Sequence, residues 1–234
     1  MRGAFRRVNG FNPRWGLRGE GGAAKIPRSM AGGPYDLIVF DLDGTLVDSA
    51  PDIVASLQRA HERLGRPAVP ADRIVAAVGR GLRKLVEDTS APPYEPVIEA
   101  YMEEYEAHPV ERTRLYPGVA DTLPRIGARK IVLSNKPASL VRRVLEALKI
   151  AVHFEASYGG DSFPAHKPDA GAFRRAVGGA RRVLVVGDSG VDVAMARNAG
   201  VPICAVTYGY QKPGELDGAD FRIDRFDQLL ELLR

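Results

Sequence analysis

From residue 35 onward, short unbroken runs of Val, Ile and Leu alternate with stretches whose apolar residues recur every three or four positions. The runs occupy 35–40, 130–134, 182–187 and 201–206, with a weaker one at 220–223. Near-continuous apolarity over four to six residues predicts strands covered by helices on both faces. Helical spacing follows at 137–148, 169–177, 191–199 and 225–233; in the first, Val141, Leu145 and Leu148 share one face. Strand and helix in alternation predict an α/β fold built of βαβ units around a doubly wound parallel sheet.

Residues 50–114 interrupt that rhythm and read as helix alone. Ser49-Ala50-Pro51-Asp52 has the form of a capping box, with Asp in place of the usual Glu or Gln. Behind it Ile53, Leu57, Ala60 and Leu64 make one stripe, ended by Gly65 and Pro67. Further helices are predicted over 71–78, 82–88 and 95–107, the last with Val97, Tyr101 and Tyr105 on one side. A helical block after the first strand of such a sheet suggests a small module over the sheet's carboxyl edge, where ligands bind in open α/β folds. The expected organisation is a core of 35–50 and 115–234 with a helical cap of 51–114.

Charge sharpens the picture at the N-terminus. The formal net charge is +4, but residues 1–34 hold seven basic residues against Glu20, a net +6, which leaves −2 for the rest. The remainder has no basic bias toward nucleic acid. Residues 1–34 are glycine-rich, lack helical periodicity and lack the apolar stretch of a secretory signal. They read as a disordered basic leader of no function, an over-long reading frame with its natural start at Met30; an organelle transit peptide or a basic arm for nucleic acid or anionic lipid are the alternatives. No apolar run approaches the ~18 residues of a membrane-spanning helix, so no membrane partner is expected. The single cysteine, Cys204, lies in an apolar run and reads as an inert buried thiol. One cysteine fits a reducing, cytoplasmic setting.

The chemistry-bearing residues fall at predicted strand ends. The first strand runs into Asp41-Leu42-Asp43-Gly44-Thr45, two carboxylates at i and i+2. The second ends in Ser134-Asn135-Lys136, offering a hydroxyl, backbone N–H groups and a cation. Lys167 precedes a predicted helix, and the strand at 182–187 ends in Asp188, with Asp192 four residues on. Successive strand ends share one sheet edge, so the fold would gather these carboxylates, a hydroxyl and an ammonium in one place.

These motifs, in this order, resemble the haloacid dehalogenase-like phosphohydrolases over essentially all of 35–234, and the helical insertion is similar to that family's small cap. The resemblance implies a Rossmann-like core and a Mg²⁺-dependent phosphomonoester hydrolase. Asp41 would be the nucleophile, forming an aspartyl-phosphate, and Asp43 the general acid and base. Ser134, Asn135 and Lys167 would bind phosphate. Asp41, Asp43 through its main-chain carbonyl, and Asp188 would hold the metal, with Asp192 behind them.

Within the family the chain is most similar to phosphoglycolate phosphatases, on Val78-Gly79-Arg80-Gly81, Leu115-Tyr116-Pro117-Gly118, Ser134-Asn135-Lys136-Pro137 and Gly159-Gly160-Asp161-Ser162. The expected partner is a small phosphorylated acid, with Arg80 and Lys136 as the cations for its carboxylate. The protein is expected to be a monomer or small homo-oligomer. A phosphatase for sugar phosphates, nucleotides or pyrophosphate, or a β-phosphoglucomutase-like isomerase, would share the core motifs.

Overall fold

The structure is a computed structural model and describes residues 34–210 and 213–234. The expected leader at 1–34 lies outside the described residues except for its last position.

The chain opens with β1 (Leu37–Phe40) and the short β2 (Val47–Asp48). Four helices follow, α1 (Ala50–Arg63), α2 (Ala71–Val75), α3 (Leu82–Thr89) and α4 (Glu95–Ala107). Then come β3 (Arg114–Leu115), α5 (Val119–Thr122), β4 (Arg129–Leu133), α6 (Ala138–Ala147) and β5 (Ala156–Tyr158). The chain continues with α7 (Ala170–Val177), β6 (Val183–Gly187), α8 (Gly190–Ala199), β7 (Ile203–Val206), β8 (Phe221–Ile223) and α9 (Leu229–Leu232).

Six strands form one sheet in the order β5-β4-β1-β6-β7-β8, with every pairing parallel. Counted along the chain this is the 3-2-1-4-5-6 order of a doubly wound sheet. The winding reverses between β1 and β6, which opens a crevice at their carboxyl ends.

β1 is buried on both sides because its alternate residues serve two cores. Ile38 and Phe40 pack with α5, α6 and the C-terminal Phe226 and Leu229. Leu37 and Val39 pack with Phe173 of α7 and Val193, Met195 and Ala196 of α8. Full burial of each such side chain contributes roughly 1.5–3 kcal/mol, so the central strand is fixed tightly where its end must carry the site.

The insertion α1–α4 leaves and rejoins the sheet through the antiparallel pair β2 and β3, with Val47 opposite Leu115 and Asp48 opposite Arg114. Its apolar residues, Ile53, Leu57, Ile74, Val86, Val97 and Tyr105 among them, are continuous with the core on the Phe40 face.

Three local expectations give way to other geometry. The capping box at Ser49 and Asp52 does not form, because neither side chain is free to make it. Ser49 donates its hydroxyl to Asp43. The buried Asp52 carboxylate instead accepts from the Arg112 and Thr113 amides and the Thr113 hydroxyl, at 2.6–3.1 Å, tying the returning chain to the start of α1. The helix expected over 71–78 stops at Val75 and continues as a turn. The C-terminal helix expected over 225–233 is a 3₁₀ turn at Phe226–Gln228 followed by α9.

Candidate active site

Asp41 follows β1 directly, and its amide bonds the carbonyl of Val186 in β6, so the first carboxylate sits at the reversal of the sheet. The chain then turns back, with the Thr45, Leu46 and Val47 amides all donating to the Leu42 carbonyl. Gly44 makes this turn at φ +90°, which a side chain disfavours. A Cβ there would also overlap the Asp188 carboxylate. Glycine is therefore required twice, by the backbone angle and by the approach of the third acid.

Asp188 ends β6, and Asp192 lies in the first turn of α8. A capping box forms here: the Ser189 hydroxyl accepts from the Asp192 amide, and Asp192 takes the Ser189 amide and hydroxyl. Asp192 presents its other oxygen to Lys167, 2.8 Å away. The Lys167 ammonium also donates to Asp41 at 2.6 Å. Carboxylate oxygens of Asp41, Asp188 and Asp192 all lie within 4.8 Å of one another.

Three buried carboxylates around one ammonium leave an excess of negative charge. Burial raises the Asp41 carboxyl to about 7, opposed by the Lys167 ammonium and reinforced by the Asp192 carboxylate. Burial also pushes Asp188 up, with Asp41 and Asp192 adding to it. For Lys167 burial works the other way, but Asp192 and Asp41 outweigh it and hold the ammonium above its ordinary pKa. The cluster thus has hard oxygen donors, unbalanced charge and deep burial, which suits a small divalent cation.

Asp43 is held apart from this group. Its carboxylate accepts from the Lys136 ammonium at 3.1 and 3.3 Å and from the Ser49 hydroxyl at 2.5 Å. Lys136 in turn lies 4.3 Å from the centre of the Tyr105 ring on α4, a cation–π contact. Ser134 is buried and accepts from the Lys136 amide. The Asn135 side-chain amide donates to the carbonyls of Lys167 and of Gly79 in the insertion, each at 3.0 Å. Gly160 lies against the Asn135 carbonyl so closely that a Cβ would be 2.6 Å from its oxygen.

Arg80 is placed differently from the other expected residues. It is about half exposed and pairs with Asp88 of α3 at 3.1 Å. It lines an open cleft of about 700 Å³ together with Lys84, Met102, Asn135 and His166. The inner chamber, bounded by Asp43, Lys136, Ile53, Val78, Leu85 and Tyr101, measures about 40 Å³, room for a few waters.

Two tyrosines that the sequence reading passed over reach the site from the loop after β7. Tyr210 donates its amide to Asp188 at 2.8 Å, and the Tyr208 hydroxyl donates to the Thr45 carbonyl at 2.9 Å. Between them Gly209 lies so close that a Cβ would overlap Asp188 and the Gly44 carbonyl. The Thr45 hydroxyl also donates to Asp188, at 3.3 Å. A glycine between two tyrosines just past a strand end was the one available signal.

The family of haloacid dehalogenase-like hydrolases matches residues 38–206. The chain belongs to that family. A phosphoglycolate phosphatase of Caulobacter vibrioides is 38% identical over 205 residues, covering 81% of this chain and 86% of the relative. The plasmid-borne phosphoglycolate phosphatase of Cupriavidus necator is 37% identical, covering 86% and 94%. Among solved structures, that of a predicted phosphoglycolate phosphatase from Haemophilus somnus superposes with a TM-score of 0.79 at 29% identity, over 86% of this chain and 99% of the other. Among the described residues no helix is long and apolar enough to cross a membrane.

Proposed function

We propose that this hydrolase is a Mg²⁺-dependent phosphatase of the cytoplasm that removes phosphate from 2-phosphoglycolate or a closely similar small phosphorylated acid. The observation that carries the reading is the cluster of Asp41, Asp188 and Asp192 around Lys167 at the reversal of the sheet, with Asp43 held separately by Lys136. The names of the relatives point to the substrate.

A phosphate monoester dianion repels an anionic attacker, so the site must offset charge and align the reactants. Asp41, Asp188 and the main-chain carbonyl of Asp43 would hold Mg²⁺, which when bound would neutralise phosphate charge and keep Asp41 ionised. Asp43, a carboxylate paired with Lys136 at rest, takes up a proton as substrate binds; Asp41 attacks phosphorus, and the substrate's alkoxide leaves with that proton. Asp43, now a carboxylate, takes a proton from water, which attacks the aspartyl-phosphate; phosphate leaves and Asp41 is restored. Ser134, the main-chain N–H of Asn135 and Lys167 hold the non-bridging oxygens, while Asp192 keeps the Lys167 ammonium in place.

Arg80 in the outer cleft and Lys136 inside the chamber are the two cations offered to the substrate's carboxylate.

Phosphate release with Mg²⁺ tests the reading over phosphoglycolate, sugar phosphates, nucleotides and pyrophosphate. The expected result is highest kcat/KM on phosphoglycolate, loss of activity in EDTA and recovery on adding Mg²⁺. Full activity in excess EDTA overturns the metal role; a preferred sugar phosphate, or phosphate moved within the substrate without release, overturns the substrate.

A further inference from the structure

Tyr210 touches the cation cluster with its backbone and the base of the helical insertion with its side chain. Its amide donates to Asp188 Oδ2. Its hydroxyl accepts from the amides of Ser49, at 2.6 Å, and Ala50, at 2.9 Å, and donates to the Asp48 carboxylate at 2.9 Å. A phenol hydroxyl has one donor and two acceptor positions, and all three are used here.

Helix α1 begins at Ala50 and finds no cap in its own sequence, since the Ser49 side chain is committed to Asp43. The amides that open the helix are bonded instead by a residue 160 positions later. The same turn carries the exit from β2, so this one hydroxyl holds the point where the insertion leaves the sheet.

The loop bearing Tyr210 has little freedom to absorb movement at Asp188. Tyr208 is fixed to the Thr45 carbonyl, and its ring lies 4.6 Å, centre to centre, from that of Tyr116 just beyond β3. Gly209 allows the backbone to lie directly on Asp188. A backbone bond to Asp188 at one end and a hydroxyl bonded by the Ser49 amide at the other thus make Tyr210 a continuous link between the Asp188 carboxylate and Ser49, whose hydroxyl holds Asp43.

We propose that Tyr210 is a positioning residue that couples occupation of the Asp188 cation site to the seating of the helical insertion at Asp48–Ala50. The proposal rests on the reading of Asp188 as a Mg²⁺ ligand. Binding at Asp188 orders the loop, the hydroxyl secures the start of α1, and Ser49 brings Asp43 to its working position.

The test uses the full chain, with calorimetry for Mg²⁺ binding and NMR amide exchange at Ser49 and Ala50 with and without Mg²⁺. In the wild type Mg²⁺ slows both amides by about tenfold, the scale of one to two hydrogen bonds. Tyr210→Phe keeps the backbone bond to Asp188, so it still binds Mg²⁺ within about threefold of the wild type, but the slowing is lost. Thr207→Val, which removes from the same loop a hydroxyl that reaches only the Ile223 carbonyl, at 3.4 Å, retains it. Slowing that persists in Tyr210→Phe, or that vanishes equally in Thr207→Val, overturns the assignment.

Should Tyr210→Phe not fold, Asp48→Ala, which removes the acceptor that orients the Tyr210 hydroxyl, serves in its place: a weakened response supports the coupling and an unchanged one removes it. A wild type that binds no Mg²⁺ defeats the cofactor reading and this proposal with it. A wild type that binds Mg²⁺ and releases phosphate, yet shows no slowing, defeats the coupling alone.

Discussion

Lys136 holds Asp43 from the core side while Ser49 holds it from the insertion, and both partners are buried. Removing the ammonium leaves a carboxylate in a dry place with one hydroxyl for company. Lys136→Met should therefore lower unfolding stability by about 3 kcal/mol in urea titrations, the cost of an orphaned buried charge. It should also cut kcat/KM for phosphoglycolate by at least ~100-fold. Arg80 gives the contrasting case. Its exposed pair with Asp88 is worth under about 1 kcal/mol, so Arg80→Ala should leave the urea midpoint in place. Steady-state kinetics should show KM rising for phosphoglycolate and not for a neutral sugar phosphate; equal rises would remove Arg80 from carboxylate recognition. Sequence alone marked both residues as cations near the site, but whether each was already paired depended on neighbours far along the chain.

Among the elements, the loop after β7 shapes the site through a residue with no side chain. Gly209→Ala should displace Asp188 and weaken Mg²⁺ binding by more than ~10-fold in calorimetry, since overpacked contacts relax by moving a neighbour. Gly127→Ala, with nothing within 4 Å, is the matched control and should bind as the wild type. The strands that were legible are the buried ones, where a run such as Leu37–Phe40 is apolar at every position. The edge strand β5 was not, because Ala156–Tyr158 is short, half-buried and mixed in polarity. Nor was the β2–β3 pair, two residues on each side and formed across the whole insertion. The motif residues at strand ends could be read because the parallel order forces them to one edge. Tyr210 could not, since its partners at Asp48, Ser49 and Ala50 are brought to it only by the completed fold.

For the molecule as a whole, the acid cluster ties stability to pH and to metal. Burial raises Asp41 to about 7 in the folded protein, whereas an unfolded Asp titrates near ~3.9. The folded state then holds more protons than the unfolded one between those values. This contribution is fully present below about pH 4 and is lost as pH rises through about 7. Without metal, Tm should fall from about pH 5 to about pH 8, and saturating Mg²⁺ should raise Tm more at the higher pH, where the ligands are ionised. Thermal scans in EDTA and in Mg²⁺ check this; an equal Mg²⁺ effect at both ends would mean the cluster is not where the ion binds. The insertion departs and returns at adjacent points, Val47 facing Leu115 and Asp48 facing Arg114, so the sheet's own pairings do not depend on the length of what lies between. A change in the insertion's length would therefore leave the strand order untouched and be felt in the site only where the insertion meets it, at the Tyr105 ring on Lys136 and the Gly79 carbonyl on Asn135.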